Sequence, residues 1–488
     1  MNKRRKTMMN NKKMIVALAA VALLVVAFAA PAAAVQLKFN GDMNHRFILG
    51  TNHNDFIVGA TDNTGSLDDG AVYDNKAEIK YRYWFEAVSD DSRYKGVFAT
   101  EIGGLSFGQT NGGYRDMRYS GDSVAMEVRW GYFDFQLPFF EQKSRVRMGL
   151  QPVCVNYWLW KETVGAVKWF GEAGSFDYQL GWMRGYEVDY TSKKHDDFEG
   201  DQDAFYGRLD FKPNAGLDVG ILALYQMNGI DKADLANPLD YQVTPQKYGI
   251  KQFPKKVEQN FFTLGTDGHW DIDQFFVKWD LMYQGGSIDQ VLYTDLDDNT
   301  NPAGLQNCDV KAYFLHADAG MKLGKSTLTY TFWYASGDDD PFDDDLEAFL
   351  ATDVDIFDGI ILFEGGWADD DYFTERPYML DRGLIMNKLA LDYQYSERTK
   401  LGVAGMYMMT AEDLEYTTPT GKRVSEDTIG FEIDAYVKFK LFKNVELAVN
   451  AGYLFADDAM DYFEVDKIQD GSSDEDIFRS DMRIRYKF

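Results

Sequence analysis

Bases that recur at every second residue are the feature of this chain with the clearest chemical meaning. In the last thirteen residues, alternate positions are charged, namely Arg479, Asp481, Arg483, Arg485 and Lys487. The positions between them are mostly apolar, namely Ser480, Met482, Ile484, Tyr486 and Phe488. Alternate residues of a β-strand point to opposite faces, so this strand has one charged face and one apolar face. Such a strand separates water from an apolar medium.

Other alternating segments place further bases on the charged face. If the strands close into a barrel, the first and last strands are neighbours, and these bases form an arc on one wall of a water-filled lumen. Like charges along a narrow water path attract counter-ions, so the arc predicts a preference for anions. The alternative is that each base pairs with a nearby acid, such as Glu78, Glu86, Glu127 or Asp481, and only stabilises the wall. The bases of this basic wall are Lys38, Arg46, Lys80, Arg82, Arg129, Arg145, Arg147, Arg479, Arg483 and Arg485.

Alternation of apolar and polar residues recurs along most of the chain and indicates the elements that carry these bases. Clear examples are residues 78–87, 217–226 and 428–439. Short turns alternate with longer polar connections, as in outer-membrane barrels with short periplasmic turns and long extracellular loops. The fold class is therefore an all-β, transmembrane, antiparallel up-and-down barrel, because open sheet edges do not occur in lipid. Eighteen strands are predicted, or sixteen if the weakest segment, residues 164–170, is not a strand.

The first 34 residues predict a cleaved signal peptide. Lys3, Arg4, Arg5 and Lys6 begin a basic region, residues 14–30 are apolar, and Ala32-Ala33-Ala34 fits a cleavage site. The mature chain, residues 35–488, then forms a single barrel domain. Aromatic residues make up 15% of the chain, which fits the aromatic girdles of a membrane barrel. We therefore expect this protein in the outer membrane of a Gram-negative bacterium.

Residues 337–381 predict an acidic extracellular loop, since they contain 16 acidic residues and one base. Clustered carboxylates suit Ca²⁺, whereas the simpler interpretation is a solvated loop. No cofactor is required by any other motif. The formal net charge of −28 argues against nucleic acid as a partner. The candidate Ca²⁺ ligands are Asp338, Asp339, Asp340, Asp343, Asp344 and Asp345.

No motif predicts catalysis or a disulfide framework. The five histidines lie in no metal-binding spacing and beside no Gly-x-Ser-x-Gly nucleophile, so an enzyme is not expected. Cys154 and Cys308 are the two cysteines, and they form either a bond permitted after export or two isolated thiols.

Several short stretches resemble the homotrimeric outer-membrane porins of sulfate-reducing bacteria. They are Arg147-Met148-Gly149-Leu150-Gln151-Pro152, Ser336-Gly337-Asp338-Asp339-Asp340-Pro341 and Asp369-Asp370-Asp371-Tyr372-Phe373. The final strand also resembles the C-terminal strand of outer-membrane barrels, whose last aromatic residues are read by the barrel assembly machinery. In this chain those residues are Tyr486 and Phe488. The resemblance implies a homotrimer in contact with outer-membrane lipid and lipopolysaccharide.

Trimeric porins fold the loop after the fifth strand into the lumen, so the resemblance places the constriction near residues 152–163. The alternatives are that its aromatic residues belong to the outer girdle, or that residues 227–256 form the constriction instead. The candidate residues are Asn156, Tyr157, Trp158, Trp160, Lys161 and Glu162.

The function expected from the sequence is passive diffusion of ions and small hydrophilic solutes through a porin with a weak preference for anions. Two alternatives stay open. One is a surface adhesin or structural barrel whose lumen is blocked, and the other is a substrate-specific channel, for example for sugars.

Overall fold

The structure is a computed structural model of the full chain. It describes residues 35–51, 73–108, 124, 126–139, 144–186, 202–228, 258–294, 302–340, 343–352, 354–364, 378, 382–417, 420–460 and 476–488. The predicted signal peptide lies outside these residues and stays a prediction.

Eighteen antiparallel strands form a closed barrel, as the alternation predicted. Each wall strand pairs with the next along the chain, and β19 pairs with β1 to close the ring. The very short strand β14 lies off the wall and pairs in parallel with β12. The strands are β1 Val35–Thr51, β2 Tyr73–Ser89, β3 Tyr94–Ser106, β4 Glu127–Gln136, β5 Arg145–Asn156, β6 Trp160–Ala173, β7 Phe176–Tyr186, β8 Gln202–Asn214, β9 Leu217–Asn228, β10 Glu258–Ile272, β11 Phe275–Thr294, β12 Pro302–Leu323, β13 Ser326–Ala335, β14 Asp345–Leu346, β15 Leu384–Gln394, β16 Thr399–Thr417, β17 Arg423–Phe442, β18 Val445–Ala456 and β19 Ile477–Lys487.

The alternative of sixteen strands is wrong. Residues 164–170, the weakest predicted strand, belong to β6, which pairs with both β5 and β7. Short connections follow β2, β4, β6, β8, β10, β12, β15 and β17, and they alternate with longer ones as the sequence predicted. Gly324 shows how tightly they close, since it has a φ of 60° in the two-residue connection between β12 and β13. A left-handed backbone of this kind favours glycine.

The outer face of the barrel is apolar. Phe39 and Phe85 stack across β1 and β2 with ring centroids 4.7 Å apart, and both are at least half exposed. Ile221 and Leu264 are similarly exposed on β9 and β10. In a bilayer these side chains contact lipid, and the paired strands leave no wall edge to be solvated. The protein is therefore a transmembrane barrel of the Gram-negative outer membrane.

Phe488 packs against the seam between the first and last strands. Its ring lies 5.4 Å from that of Phe39 and covers Gly41, where an added β-carbon would overlap the ring. Reciprocal backbone hydrogen bonds of 3.0 Å join Gly41 and Phe488. Tyr486 is exposed nearby, and recognition of both aromatic residues by the assembly machinery stays a prediction. Within the described part of the chain, no helix has the length and apolar character needed to span a membrane.

Candidate functional site

The hairpin made by β5 and β6 leaves the wall and bends into the lumen. Pairing of β5 with β4 extends only to Leu150, and pairing of β6 with β7 begins only at Ala166. The two strands remain paired with each other as far as Asn156 and Trp160. Residues 151–165, which we call the hairpin tip, therefore extend beyond their neighbours on both sides.

The hairpin tip crosses the lumen to the opposite wall. Asn156 Nδ2 donates hydrogen bonds to Asp267 Oδ2 on β10 (3.0 Å) and to Asp280 Oδ1 on β11 (2.7 Å). Trp158 Nε1 donates to Asp280 Oδ2 (3.2 Å), and the Trp158 ring lies 4.6 Å from that of His316. Since β7, β8 and β9 separate β6 from β10, these contacts span part of the barrel interior.

All of the candidate constriction residues lie in the hairpin tip. Tyr157 Oη donates to Asp355 O (3.2 Å) and accepts a hydrogen bond from Phe357 N (2.7 Å). Burial raises the pKa of Tyr157 to about 12, so its hydroxyl remains protonated at neutral pH. Tyr157 and Trp158 thus contact groups inside the barrel and are not part of an outer aromatic girdle.

The remaining candidates lie on β6. Trp160 is buried in the core of the lumen. Lys161 is exposed, with its ammonium nitrogen 4.8 Å from the centre of the Tyr157 ring. Glu162 accepts a hydrogen bond from Thr163 N (2.6 Å). Most of the rival candidate, residues 227–256, lies outside the described residues.

A second segment fills the lumen between β13 and β15. We call its described residues, 336–340, 343–352 and 354–364, the inner segment. Gln284 on β11 forms two hydrogen bonds of 2.9 Å with the backbone of Leu350. Leu159 O accepts a hydrogen bond from Thr352 N (2.8 Å), which joins the inner segment to the hairpin tip.

The inner segment is also held by one carboxylate of the wall. Glu432 on β17 is fully buried and accepts hydrogen bonds from the backbone N–H groups of Ile360, Ile361 and Leu362 at 3.0, 2.8 and 3.1 Å. Apolar side chains of the segment join wall residues in a buried core. These side chains are Phe349, Ala351, Val354, Ile356, Ile361, Leu362 and Phe363.

The charge of residues 337–381 predicts a solvated extracellular loop, whereas many apolar side chains of the inner segment are buried inside the barrel. The reason is that its acids alternate with apolar runs, which pack inside the barrel while several carboxylates contact bases. Asp358 pairs with Lys388 on β15, and Asp345 pairs with Lys311 on β12.

The predicted calcium ligands lie at the start of this segment. Asp338 is buried, and Arg382 donates a hydrogen bond to its backbone carbonyl (2.9 Å). Among the described residues, no group of three or more His, Cys, Asp or Glu side chains is arranged to hold a metal ion. Calcium binding at Asp338–Asp340 and Asp343–Asp345 stays a prediction that this arrangement does not support.

Glu364, at the end of the described inner segment, joins it to the basic wall. Its Oε2 contacts Arg46 Nη1 (2.6 Å) and also pairs with Arg479. Arg46 in turn pairs with Glu78 (2.9 Å) on the neighbouring strand. These side chains are about 95% buried, so water is almost excluded from this cluster.

The rest of the basic wall is grouped around a few acids. Glu101 pairs with Arg82 and Arg129, and its other oxygen lies 3.7 Å from the Lys80 ammonium. Three bases thus lie around one carboxylate.

Asp134 forms the second group. It pairs with Arg145 (2.6 Å) and with Arg147 (3.0 Å). Two bases again share one carboxylate, at the end of the lumen near the short turns.

Bases of the last strand have acidic partners as well. Arg485 pairs with Asp42, and Arg483 lies 3.7 Å from Glu446. Lys38 faces Glu86 across the register of β1 and β2, and no ion pair of Lys38 occurs within the described residues. Most bases of the basic wall are thus paired with acids. Glu78, which pairs with Arg46, is one of the acids that the alternative interpretation named. The sequence analysis did not identify Glu101, Asp134 and Glu364 as partners of these bases. Glu101 and Asp134 lie directly across the strand pairing from Arg82 and Arg147, so the strand register could have indicated them.

The opposite wall is richer in acids. Arg208 pairs with both Asp210 and Asp267 (2.5 Å each), and Asp267 also holds the hairpin tip. On β12, His316 lies between Asp280 (2.8 Å) and Asp318 (3.3 Å). The lumen therefore has a basic side and an acidic side.

Water reaches the two parts of the basic wall unequally. The side chains of Arg82, Arg129 and Arg145 are 33%, 25% and 22% exposed, whereas that of Arg479 is 2% exposed. The buried core of the lumen draws residues from β5 to β9, β11 to β13 and β15 to β19. Among the described residues, none of β1 to β4 joins it. Three partly exposed bases therefore lie on β2, β4 and β5, at Arg82, Arg129 and Arg145.

The two cysteines do not pair. Cys154 is exposed on β5, and Cys308 is buried on β12. The interpretation of two isolated thiols is the one that agrees with the structure.

Comparisons with known proteins identify the fold. No family model and no curated protein matches the chain. Among solved structures, OccK8 (OprE) of Pseudomonas aeruginosa is similar, with 10% identity, coverage of 94% of this chain and 99% of that chain, and a TM-score of 0.50. A BenF-like porin of Pseudomonas fluorescens Pf-5 has 10% identity, coverage of 94% and 100%, and a TM-score of 0.51. These likenesses support a general porin fold and not the family of sulfate-reducing bacteria.

Proposed function

We propose that this barrel is an outer-membrane porin through which ions and small hydrophilic solutes diffuse passively, with a weak preference for anions. The observation that carries the proposal is the position of the partly exposed bases Arg82, Arg129 and Arg145. The hairpin tip and the inner segment pack toward β5 to β19, and the partly exposed bases lie on the side that they leave open.

The grouping of these bases supports the preference for anions. Arg82 and Arg129 share the carboxylate of Glu101, and Arg145 and Arg147 share that of Asp134. A unit charge about 6 Å from a permeating ion contributes on the order of 1 kcal/mol at a dielectric between that of water and that of a protein surface. Acids on the facing wall are themselves paired with Arg208, His316 and Lys278, which limits their attraction for cations.

The constriction supports selection by size. Its two parts are anchored by hydrogen bonds at Asn156, Thr352 and Leu350, and their apolar side chains exclude water from most of the cross-section. A narrow lumen fixed in this way admits small solutes and rejects large ones without any energy input.

The extent of the buried core also favours a second candidate, a structural barrel or adhesin whose lumen is closed. Conduction distinguishes the two functions. The test is the zero-current potential of the purified, folded protein in a planar bilayer under a KCl gradient. Steady conductance with an anion-selective potential supports the porin, whereas absence of conductance supports the closed barrel.

We also propose a homotrimer, which rests on the short stretches of sequence resemblance and not on the comparisons with solved structures. Chemical cross-linking of the protein in native outer-membrane vesicles tests it. A ladder ending at three copies is the expected result, and a single band at one copy contradicts it.

A further inference from the structure

A cavity with both apolar and polar lining residues lies where the β5–β6 hairpin leaves the wall. It has a volume of about 390 Å³. It is bordered by Trp160 and Val164 of the hairpin tip, by Gln202 and Gln226 of β8 and β9, by Gln259 of β10 and by Thr352 of the inner segment. Pockets that bind small molecules usually have volumes of roughly 300–1,000 Å³. The departure of β6 from β7 beyond Ala166 provides the space.

Gln259 marks this cavity as a binding site. The residue is 1% exposed, and its Oε1 accepts no hydrogen bond from any residue that the structure describes. A buried acceptor without a donor costs about 1–3 kcal/mol, so it requires a partner. A ligand that donates a hydrogen bond within the cavity supplies one.

The remaining polar groups indicate the chemical class of this ligand. Glutamine and threonine side chains both donate and accept hydrogen bonds, as hydroxyl groups do. The Gln226 amide and the Thr352 hydroxyl already contact each other, with Nε2 to Oγ1 at 3.1 Å and Oγ1 to Oε1 at 3.4 Å, which leaves a second N–H of the amide for a ligand. Three charged side chains, Glu162, Arg184 and Asp203, border the cavity, and the ion pair between Arg184 and Asp203 (2.8 Å) leaves no excess of positive charge in the lining.

We infer that this cavity binds an uncharged polyhydroxylated solute of about monosaccharide size. The site differs from the basic wall, because its lining has no excess of positive charge and its polar groups match hydroxyls. The inference goes beyond the proposed diffusion of ions, and it rests on the channel function only for the entry of the solute. A carboxylate ligand is disfavoured, since Glu162 and Asp203 also border the cavity.

Binding is tested directly on the folded full-length protein in detergent. Tryptophan fluorescence, with Trp160 as a local reporter, is titrated with D-glucose and separately with D-gluconate, which is of similar size but charged. Saturable binding of glucose, with gluconate at least tenfold weaker, is the expected result. Equal or tighter binding of gluconate overturns the inference, as does the absence of saturable glucose binding.

Variants locate the site. Gln259→Leu removes the orphaned acceptor and is expected to raise the half-saturation concentration for glucose about tenfold, the effect of one hydrogen bond. Gln179→Leu, on β7 opposite Arg208 and outside the cavity, is the matched control and should bind like the wild type. If Gln259→Leu does not fold, Thr352→Val replaces it and should weaken binding in the same direction. Unchanged binding in the folded cavity variant overturns the inference.

The KCl conductance of the same samples separates this inference from the proposed function. Glucose binding without conductance preserves the site and refutes the porin. Conductance without glucose binding preserves the porin and refutes the site.

Discussion

Arg82 offers the sharpest test of the basic wall. It pairs with Glu101 and is the most exposed of the three bases around that carboxylate, with 33% of its side chain accessible. Arg82→Gln leaves Glu101 paired with Arg129 and near Lys80, so the substitution leaves no orphaned buried acid. It lowers the charge of the group by one unit.

The expected size of the effect follows from Coulomb's law. One unit charge about 6 Å from the ion path contributes on the order of 1 kcal/mol at an effective dielectric constant of about 55. Loss of the charge raises the energy of chloride and lowers that of potassium by this amount, so the permeability ratio changes by about 2 kcal/mol, or about thirtyfold. We therefore expect the ratio of chloride to potassium permeability to fall by about thirtyfold in Arg82→Gln.

Reversal potentials measured at several KCl concentrations test this estimate. The difference from the wild type should be largest in dilute salt and should shrink near 1 M, where the Debye length is about 3 Å. Arg93→Gln is the control, because Arg93 lies in an exposed turn and pairs with Asp91. An unchanged ratio in Arg82→Gln, with conductance retained, would refute the basic wall as the selective element.

Three further outcomes are expected. Glu364→Gln removes the buried carboxylate that Arg46 and Arg479 share, so the free energy of unfolding should fall by about 3–5 kcal/mol. Urea titration in detergent micelles measures it, and a value equal to that of the wild type would show that the cluster does not anchor the inner segment. Asn156→Leu removes the hydrogen bonds from the hairpin tip to β10 and β11, so larger polyethylene glycols should enter the pore in conductance assays. Asn75→Leu on β2 is the control, and an unchanged size limit in Asn156→Leu contradicts the proposed constriction. Burial and the neighbouring Asp339 raise the pKa of Glu347. An acid with a raised pKa in the folded state favours folding below that pKa and loses this contribution as pH rises through it, so the wild type should lose thermal stability relative to Glu347→Gln as pH rises above 4.5, the ordinary pKa of glutamate. Parallel melting curves above that pH would exclude the effect.

The number of strands, and the face to which each side chain points, were predictable from the sequence. The alternation of apolar and polar residues depends only on whether a side chain contacts lipid or the lumen. Arg46, Arg82 and Arg147 lie in the lumen for that reason. The hairpin tip was not predictable, because the partners of Asn156 on β10 and β11 are 111 and 124 residues away in sequence, and alternation contains no information about such pairs.

A signal for the filled lumen was nevertheless present. On β16, Met406 and Met408 face the lumen while Val403 and Tyr407 face outward, so this stretch is apolar on both faces. A lumen-facing apolar residue next to water is unfavourable, and it therefore indicates that another segment covers it. The inner segment is that cover, although its density of acids pointed toward solvent.

The hairpin tip also determines the mechanics of the pore. Unlike a loop attached at two points, it is a continuation of two wall strands that remain paired with each other to Asn156 and Trp160. Its base is thus held by strand pairing in the sheet, and its far end is hydrogen-bonded to β10 and β11. A hairpin fixed at both ends moves far less than one fixed at a single end. The aperture should therefore fluctuate little, and a single pore should carry a quiet, non-flickering current.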